Sequence, residues 1–302
     1  MAAIITSKFR LNNAEQFTES FSESAPTAYY LFIGRSSTWQ TDVDVQGNSI
    51  VEGTDSTPPT PNDDVVSEFY NYDEILGLKK IASSDVSQVI PKRTWTTGTT
   101  YDMYEHNISA ANTSASSSTN LFDAAFYVIN SSNNVYKVIE NDGATASTSE
   151  PTSTATSIFS TADGYRWKYM YSLSTTQVTN FVSTDFMPVS TNSTVSAAAV
   201  NGALDTILVA AGGSSYDVSG GGTTGNITAV PIRGDGSGGV ATVTITSGAI
   251  SGATITTAGT NYTFAYIRNA DIIAATNAGG NGSGGNLNVI IPPKGGLSLI
   301  HI

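Results

Sequence analysis

Apolar positions along this chain fall mostly in short runs with a period near two. TAYYLFIGR (27–35) is a nearly continuous apolar run of β-forming residues, which predicts a buried strand ending at Gly34. LFDAAFYVINSSNNVYKVIEND (121–142) carries two such runs around Ser131-Ser132-Asn133-Asn134, the pattern of a hairpin. DGYRWKYMYSL (163–173) alternates strictly, with Tyr165, Trp167, Tyr169 and Tyr171 to one face and Arg166, Lys168, Met170 and Ser172 to the other. Such an aromatic face serves a core first, a subunit interface second and a sugar platform last. AAIITSKFR (2–10) also predicts a strand. Helical spacing is confined to NNAEQFTESF (12–21), with an Asn cap and Phe17 and Phe21 four apart, and to Val65–Leu76. The latter follows the Pro-rich loop DSTPPTPNDD (55–64), and its acidic residues favour its N-terminal half. GATASTSEPTSTATS (143–157) reads as a low-complexity loop.

The C-terminal third repeats itself. VNGALDTILVAAGGSSYD (200–217) and TSGAISGATITTAGTNYT (246–263) share Gly202/Gly248, Ala203/Ala249, Gly213/Gly259 and Tyr216/Tyr262 at an offset of 46. The same offset lays GDGSGGVATVTI (234–245) on GNGSGGNLNVII (280–291). Gly234, Gly236 and Gly239 then match Gly280, Gly282 and Gly285, so the region is a tandem duplication. The spacing of Gly234, Gly236 and Gly239 is that of a dinucleotide loop, but an alternating strand follows where a helix is required, and no acid stands about 20 residues on. Both copies read as Gly-rich turns between strands. The adhesive tripeptide Arg233-Gly234-Asp235 becomes Gly279-Gly280-Asn281 in the second copy, so it is no part of the repeat's design. The period and the loss of the Asp also fail the pattern of calcium-binding β-rolls.

Composition sharpens this outline. Only 13% of the residues are charged, the hydrophobic share is 39%, and there are no cysteines. Ser, Thr, Asn and Gly fill the gap, which favours strands and turns, so the fold class is mostly β with a few short helices. The net charge of −12 argues against a nucleic-acid partner. No run is long and apolar enough for a signal peptide or membrane span, and no cofactor, metal or small-molecule substrate is indicated. The two histidines, His106 and His301, stand in no hydrolase pattern, and the acid pairs Asp63-Asp64 and Asp73-Glu74 read as exposed positions. The chain is read as a non-enzyme.

The few basic residues gather beside aromatic ones: Lys8 and Arg10; Arg35 with Trp39; Lys92 and Arg93 before Trp95. Such pairs serve stacking or bidentate contacts at an interface, or internal ion pairs and strand-end solvation. The stretches IITSKFR (4–10), FIGRSSTW (32–39), VIPKRTW (89–95) and DGYRWKYMYSL (163–173) resemble, in order and spacing, the baseplate wedge subunit of T-even-like contractile-tailed bacteriophages. The resemblance covers about residues 3–190. It implies a mostly β virion protein, assembled in the host cytoplasm, that forms a homodimer and contacts neighbouring wedge subunits. It gives Arg10, Arg35, Trp39, Arg93, Trp95 and Trp167 structural or interface weight. The expected domains are 1–92, 93–195 and a tandem-repeat insertion at 196–292, followed by a tail at 293–302. That insertion resembles Gly-rich repeats of longer, marine-type relatives. The ending LSLIHI resembles adapter read-through, so the native sequence is expected to diverge near Gly296, with the first domain's returning segment missing. A tail adhesin binding host glycans through the repeats or the aromatic strand is the alternative, and a polysaccharide-degrading tail enzyme the third reading.

Overall fold

The computed structural model describes residues 7–25, 27–34, 41–43, 46–47, 49–51, 56–57, 75–190 and 192–293. The protein is mostly β and divides into two compact units, Met1–Gln88 and Val89–Ile302.

In the first unit, helix α1 runs from Ser7 to Glu19. From Ser7 to Arg10 it replaces the end of the strand expected at 2–10, the rest of which lies outside the described residues, and Asn12 lies inside the helix instead of capping it. The run of β-branched residues Ile4-Ile5-Thr6 ends before the helix, and Lys8, Arg10, Leu11, Ala14 and Glu15 are good helix formers. Phe17 and Phe21 do meet, at 5.1 Å between ring centroids, and Tyr29 packs at 4.6 Å from Phe21. Strand β1 (Tyr30–Gly34) ends at the expected glycine and pairs antiparallel with β4 (Ile75–Lys80). Between them lies the hairpin of β2 (Thr41–Val43) and β3 (Ser49–Val51). Two expectations are corrected here. Ile75 and Leu76 belong to a strand, because Gly77 disfavours helix and β1 offers a partner; and β1 is not buried, since Leu31, Phe32 and Ile33 are exposed. The rest of the expected helix, residues 65–74, lies outside the described residues.

The second unit begins with β5 (Val89–Pro91), which pairs with β10 (Phe186–Pro188). The expected hairpin forms from β6 (Tyr127–Ile129) and β7 (Asn134–Glu140), with Asn133 at φ +58° in its turn. With β8 (Phe159–Ser160) and β9 (Arg166–Ser172) they make a four-stranded sheet in the order β6-β7-β9-β8. Helix α2 (Thr175–Phe181) follows, capped by Ser174, whose Oγ accepts the Gln177 amide at 3.2 Å. Then comes the short α3 (Ser193–Ala197), capped by Asn192.

The repeats build β11 (Ile207–Ser214), β12 (Gly225–Pro231), β13 (Arg233–Gly234), β14 (Ser237–Thr246), β15 (Ala249–Thr260), β16 (Ala265–Tyr266), helix α4 (Asn269–Ile273) and β17 (Ser283–Val289). Strand β14 alternates as its sequence predicts, with Ala241, Val243 and Ile245 fully buried. The repeat core holds Leu204, Ile207, Ile227, Val230, Ile250, Leu287 and Val289. Leu208 and Ile290 leave it to pack against the cores of the aromatic sheet, so the two regions interlock within one unit.

Candidate functional site

Three groups of residues were singled out by sequence: the basic–aromatic pairs, the aromatic strand and the repeat turns. Arg35, Trp39, Asp63, Asp64, Asp73, Glu74 and His301 lie outside the described residues. Lys8 sits in the first turn of α1 and Arg10 is exposed on the same helix. The Arg93 guanidinium lies 5.5 Å above the ring of Tyr127 and donates to the Asp123 carbonyl at 2.8 Å. The Arg93 contact is internal to the unit and uses Tyr127, where Trp95 was the expected neighbour. Half-buried Lys92 donates its amide to the Asp185 carbonyl at 2.7 Å, which extends the β5–β10 pairing. Trp95 Nε1 donates to Ser147 Oγ at 3.1 Å, and Ser147 donates on to Asp163 at 2.9 Å. Asp163 also takes the amides of Thr148 and Ser149 and the hydroxyl of Thr161. Its burial pushes the carboxyl up, but these donors outweigh it and hold it at about 2.

The aromatic strand is core. Tyr165 and Trp167 stack at 5.4 Å and are fully buried, and Tyr169 is 5% exposed. Trp167 Nε1 donates to Thr161 Oγ1 at 3.0 Å, and the Tyr165 hydroxyl donates to the Thr145 carbonyl at 2.5 Å. Tyr171 breaks the expected alternation. Tyr136 pairs with Tyr169 and Val135 with Tyr171, so Met170 is the extra residue of a bulge. Tyr171 therefore joins Val135, Tyr127 and Met187 in the opposite cluster.

Of the residues expected on the second face of β9, Lys168 and Met170 are buried, Arg166 is half-buried and Ser172 is exposed. Lys168 sits opposite Lys137 across the strands, and Lys137 is wholly buried with Nζ 5.1 Å above the Tyr104 ring. Burial, and then the Lys168 charge, pull the Lys137 ammonium down to about 7. Lys168 Nζ donates to the Thr156 carbonyl, and Arg166 bridges Glu140 at 3.2 Å and Asp205 at 3.1 Å. No sequence signal marked these lysines, because alternation alone places Lys168 in solvent.

The repeat turns come together across copies. β11 of the first copy pairs with β17 of the second, and β15 of the second pairs with β14 of the first. The registers are the same under the offset of 46: Ser214↔Ser283 matches Thr260↔Ser237, and Gly212↔Gly285 matches Ala258↔Gly239. Both joints carry the same bulge, at Ala210 and at Thr256. The tyrosine after each first half lies on the Gly turn of the other copy. Tyr262 accepts the Gly239 amide at 3.1 Å, and Tyr216 accepts the Gly285 amide at 3.1 Å. Gly236 and Gly282 lie under those rings, where a Cβ would stand 2.5 Å and 2.2 Å from ring carbons. Gly213 and Gly259, both at φ +62°, meet the facing backbone so closely that a Cβ would lie 2.4 Å and 2.6 Å from the Gly285 and Gly239 nitrogens.

The Arg-Gly-Asp stretch is absorbed into this architecture. Arg233 makes a 2.8 Å ion pair with Asp271. Asp235 accepts the Thr263 and Phe264 amides at 2.9 Å and the Thr263 hydroxyl, which holds its carboxyl at about 2. Gly234 pairs within β13, and Gly280 stands at φ +95° in the second turn. His106 Nδ1 accepts the Ile291 amide at 3.1 Å, which ties the end of the second copy to the aromatic region. Among the described residues no three His, Asp or Glu side chains converge as a metal site, and no helix is long and apolar enough to cross a membrane.

Residues 3–143 match the family model Phage-Gp8, described as Bacteriophage T4, Gp8. That span is a little under half of the chain. It includes three of the four stretches that carry the resemblance and stops before the aromatic strand and the repeats. No curated protein matches the chain. The match supports a structural protein of a phage baseplate, carried in the virion tail.

Proposed function

We propose that this protein is a wedge component of a contractile-tail baseplate, which assembles with itself and with neighbouring wedge subunits and moves with them when the tail fires. The observation that carries the reading is the match over residues 3–143. The β1–β4 ribbon lies inside that span, and its Leu31, Phe32, Ile33, Leu76 and Leu78 are each 47–66% exposed. Leu31 and Ile33 project to one face of the ribbon and Phe32 and Leu78, which pair across it, to the other, and exposed apolar side chains of this kind are typical of surfaces that become buried on assembly. The residues on which a glycan-binding reading rests are spent otherwise: Tyr216 and Tyr262 are 1% and 2% exposed and hold turns, and Tyr165 and Trp167 are core.

Co-expression with the other wedge proteins of the same phage, followed by size-exclusion chromatography with light scattering, tests the proposal. A stoichiometric complex with two copies of this chain is expected. Leu31→Asp or Ile33→Asp should keep the fold and lose the complex. A folded chain that ignores every wedge partner overturns the reading.

A further inference from the structure

We infer that each 46-residue copy of the repeat is half of a two-copy unit: its binding partner is a second copy of the same repeat, and this chain satisfies that demand within itself. The two halves of one copy do not pair with each other. In both joints a first half is completed by the other copy's second half, in the same register, with the same bulge and the same tyrosine-over-glycine contact. The polar clasp beside each joint shows the complementarity most clearly. At one joint Asp235 of a second half binds the Thr263 amide and hydroxyl of a first half. At the other, Asp217 of a first half binds the Asn281 amide at 3.1 Å and side chain at 3.0 Å. Position 217 corresponds to 263 and position 235 to 281, so each clasp has one carboxylate but takes it from opposite sides.

A lone copy is poorly built to close on itself. β12 pairs with one edge of the second-half strand and the first-half strand takes the other, both antiparallel to it. Within one copy those outer strands would therefore be parallel, and joining two parallel strands of one sheet takes a crossover of a dozen or more residues. The chain from Ser214 to Gly225 reaches roughly 36–40 Å at full stretch. The crossover must run the length of the second-half strand, about 27 Å, and step sideways past it by about 9.5 Å. The direct path is about 29 Å before the chain rises over the face of the strand, so the crossover would have to be largely extended and give up the turn that the Val218 amide makes to Gly222 at 2.7 Å. Pairing with a separate copy keeps that turn.

The test removes one repeat length in frame, residues 234–279, from the full chain, which leaves one first half (200–217) and one second half (280–291). It places cysteines at the exposed register partners, Ser214→Cys and Ser283→Cys, in both the shortened and the full-length protein. The chain has no other cysteine, so the crosslink is unambiguous. Oxidation should close the disulfide within one full-length chain but between two shortened chains, giving a covalent dimer on a non-reducing gel. This readout does not depend on whether the full-length protein dimerises through other surfaces. A shortened chain that crosslinks to itself overturns the inference. If the shortened chain gives no cooperative melt, the full-length protein decides. Asp217→Thr and Asn281→Asp should each lower Tm, and together should restore it by installing the Asp235–Thr263 clasp at the second joint. Failure to restore would mean that the joints are not equivalent and would also overturn the inference.

Discussion

The aromatic sheet and the repeat pair lie in one compact unit yet reach order by opposite means. The sheet fills both faces with large rings and long side chains; Trp167, Tyr136, Tyr165 and Lys137 are its largest fully buried groups. The repeats fill their centre with Ile, Val, Leu and Ala and bring backbone against backbone at Gly213 and Gly259. One region stands on the volume of side chains and the other on the absence of a few. Substitutions that shrink should therefore hurt the first, and substitutions that add a single methyl should hurt the second.

The largest effect falls on the sheet. Trp167→Ala removes a fully buried ring that stacks on Tyr165 and stands edge-on to Tyr136 and Tyr101, and leaves the Thr161 hydroxyl without its donor. A loss of about 3–5 kcal/mol is expected in chemical denaturation. A loss below ~1 kcal/mol would mean that the ring is not the keystone its packing indicates.

The repeats should respond to one added methyl. Gly213→Ala and Gly259→Ala each force a side chain into the left-handed region, at about 1–2 kcal/mol, and against facing backbone, at about 1–3 kcal/mol. The two losses should be equal within error. Gly98→Ala, at φ +82° in the aromatic region with nothing within 4 Å of its Cβ, should show the conformational cost alone. Equal losses at Gly98 and Gly213 would remove the close approach as a cause.

These contrasts also mark what the sequence could tell. The duplication, the hairpin (its turn expected at 131–134 and found at 130–133) and the run of β14 were legible because offset and alternation are local signals. The exchange of halves was not, because an offset says which positions are equivalent and not which copies pair. Tyr171 was assigned to the wrong face because period-two counting cannot see the one-residue bulge at Met170. The middle of each copy also hid its structure. GNITAVP (225–231) is a strand and its counterpart DIIAATN (271–277) opens in α4, since the sequences diverge there. In the first unit, a β-branched N-terminal stretch masked a helix starting at Ser7, and exposed β1 carries the same apolar composition as a core strand.

Lys137 offers a change in the opposite direction. Its ammonium holds its proton to about 7 in the folded protein and to 10.5 when unfolded. Between those values the unfolded chain binds the extra proton, so this group makes stability rise with pH from about 7 upward; below 7 the full cost of burial is present. Lys137→Met should stabilise the protein by about 2 kcal/mol near pH 6, within the range for replacing a buried charge by an apolar chain of similar volume. The gain should shrink as pH approaches 9. A gain independent of pH would assign the effect to packing alone.

The smallest effects separate the two joints from each other. The Tyr262 hydroxyl accepts the buried Gly239 amide and donates to the Ile232 carbonyl at 3.0 Å, so Tyr262→Phe orphans two backbone groups. The Tyr216 hydroxyl accepts the half-buried Gly285 amide and donates to the Asn269 side chain at 2.5 Å. That side chain also donates to the Gly282 carbonyl at 2.9 Å and is only half-buried, so water can replace the lost hydroxyl. A buried group left without a partner costs more than a lost bond whose partner finds another, so Tyr262→Phe should cost about 2 kcal/mol and Tyr216→Phe about 1 kcal/mol. Amide exchange gives the sharper measurement. Protection should fall at Gly239 in the first variant and at Gly285 in the second, with the other joint unchanged. Loss of protection at both joints in either variant would mean that the two open as one cooperative unit.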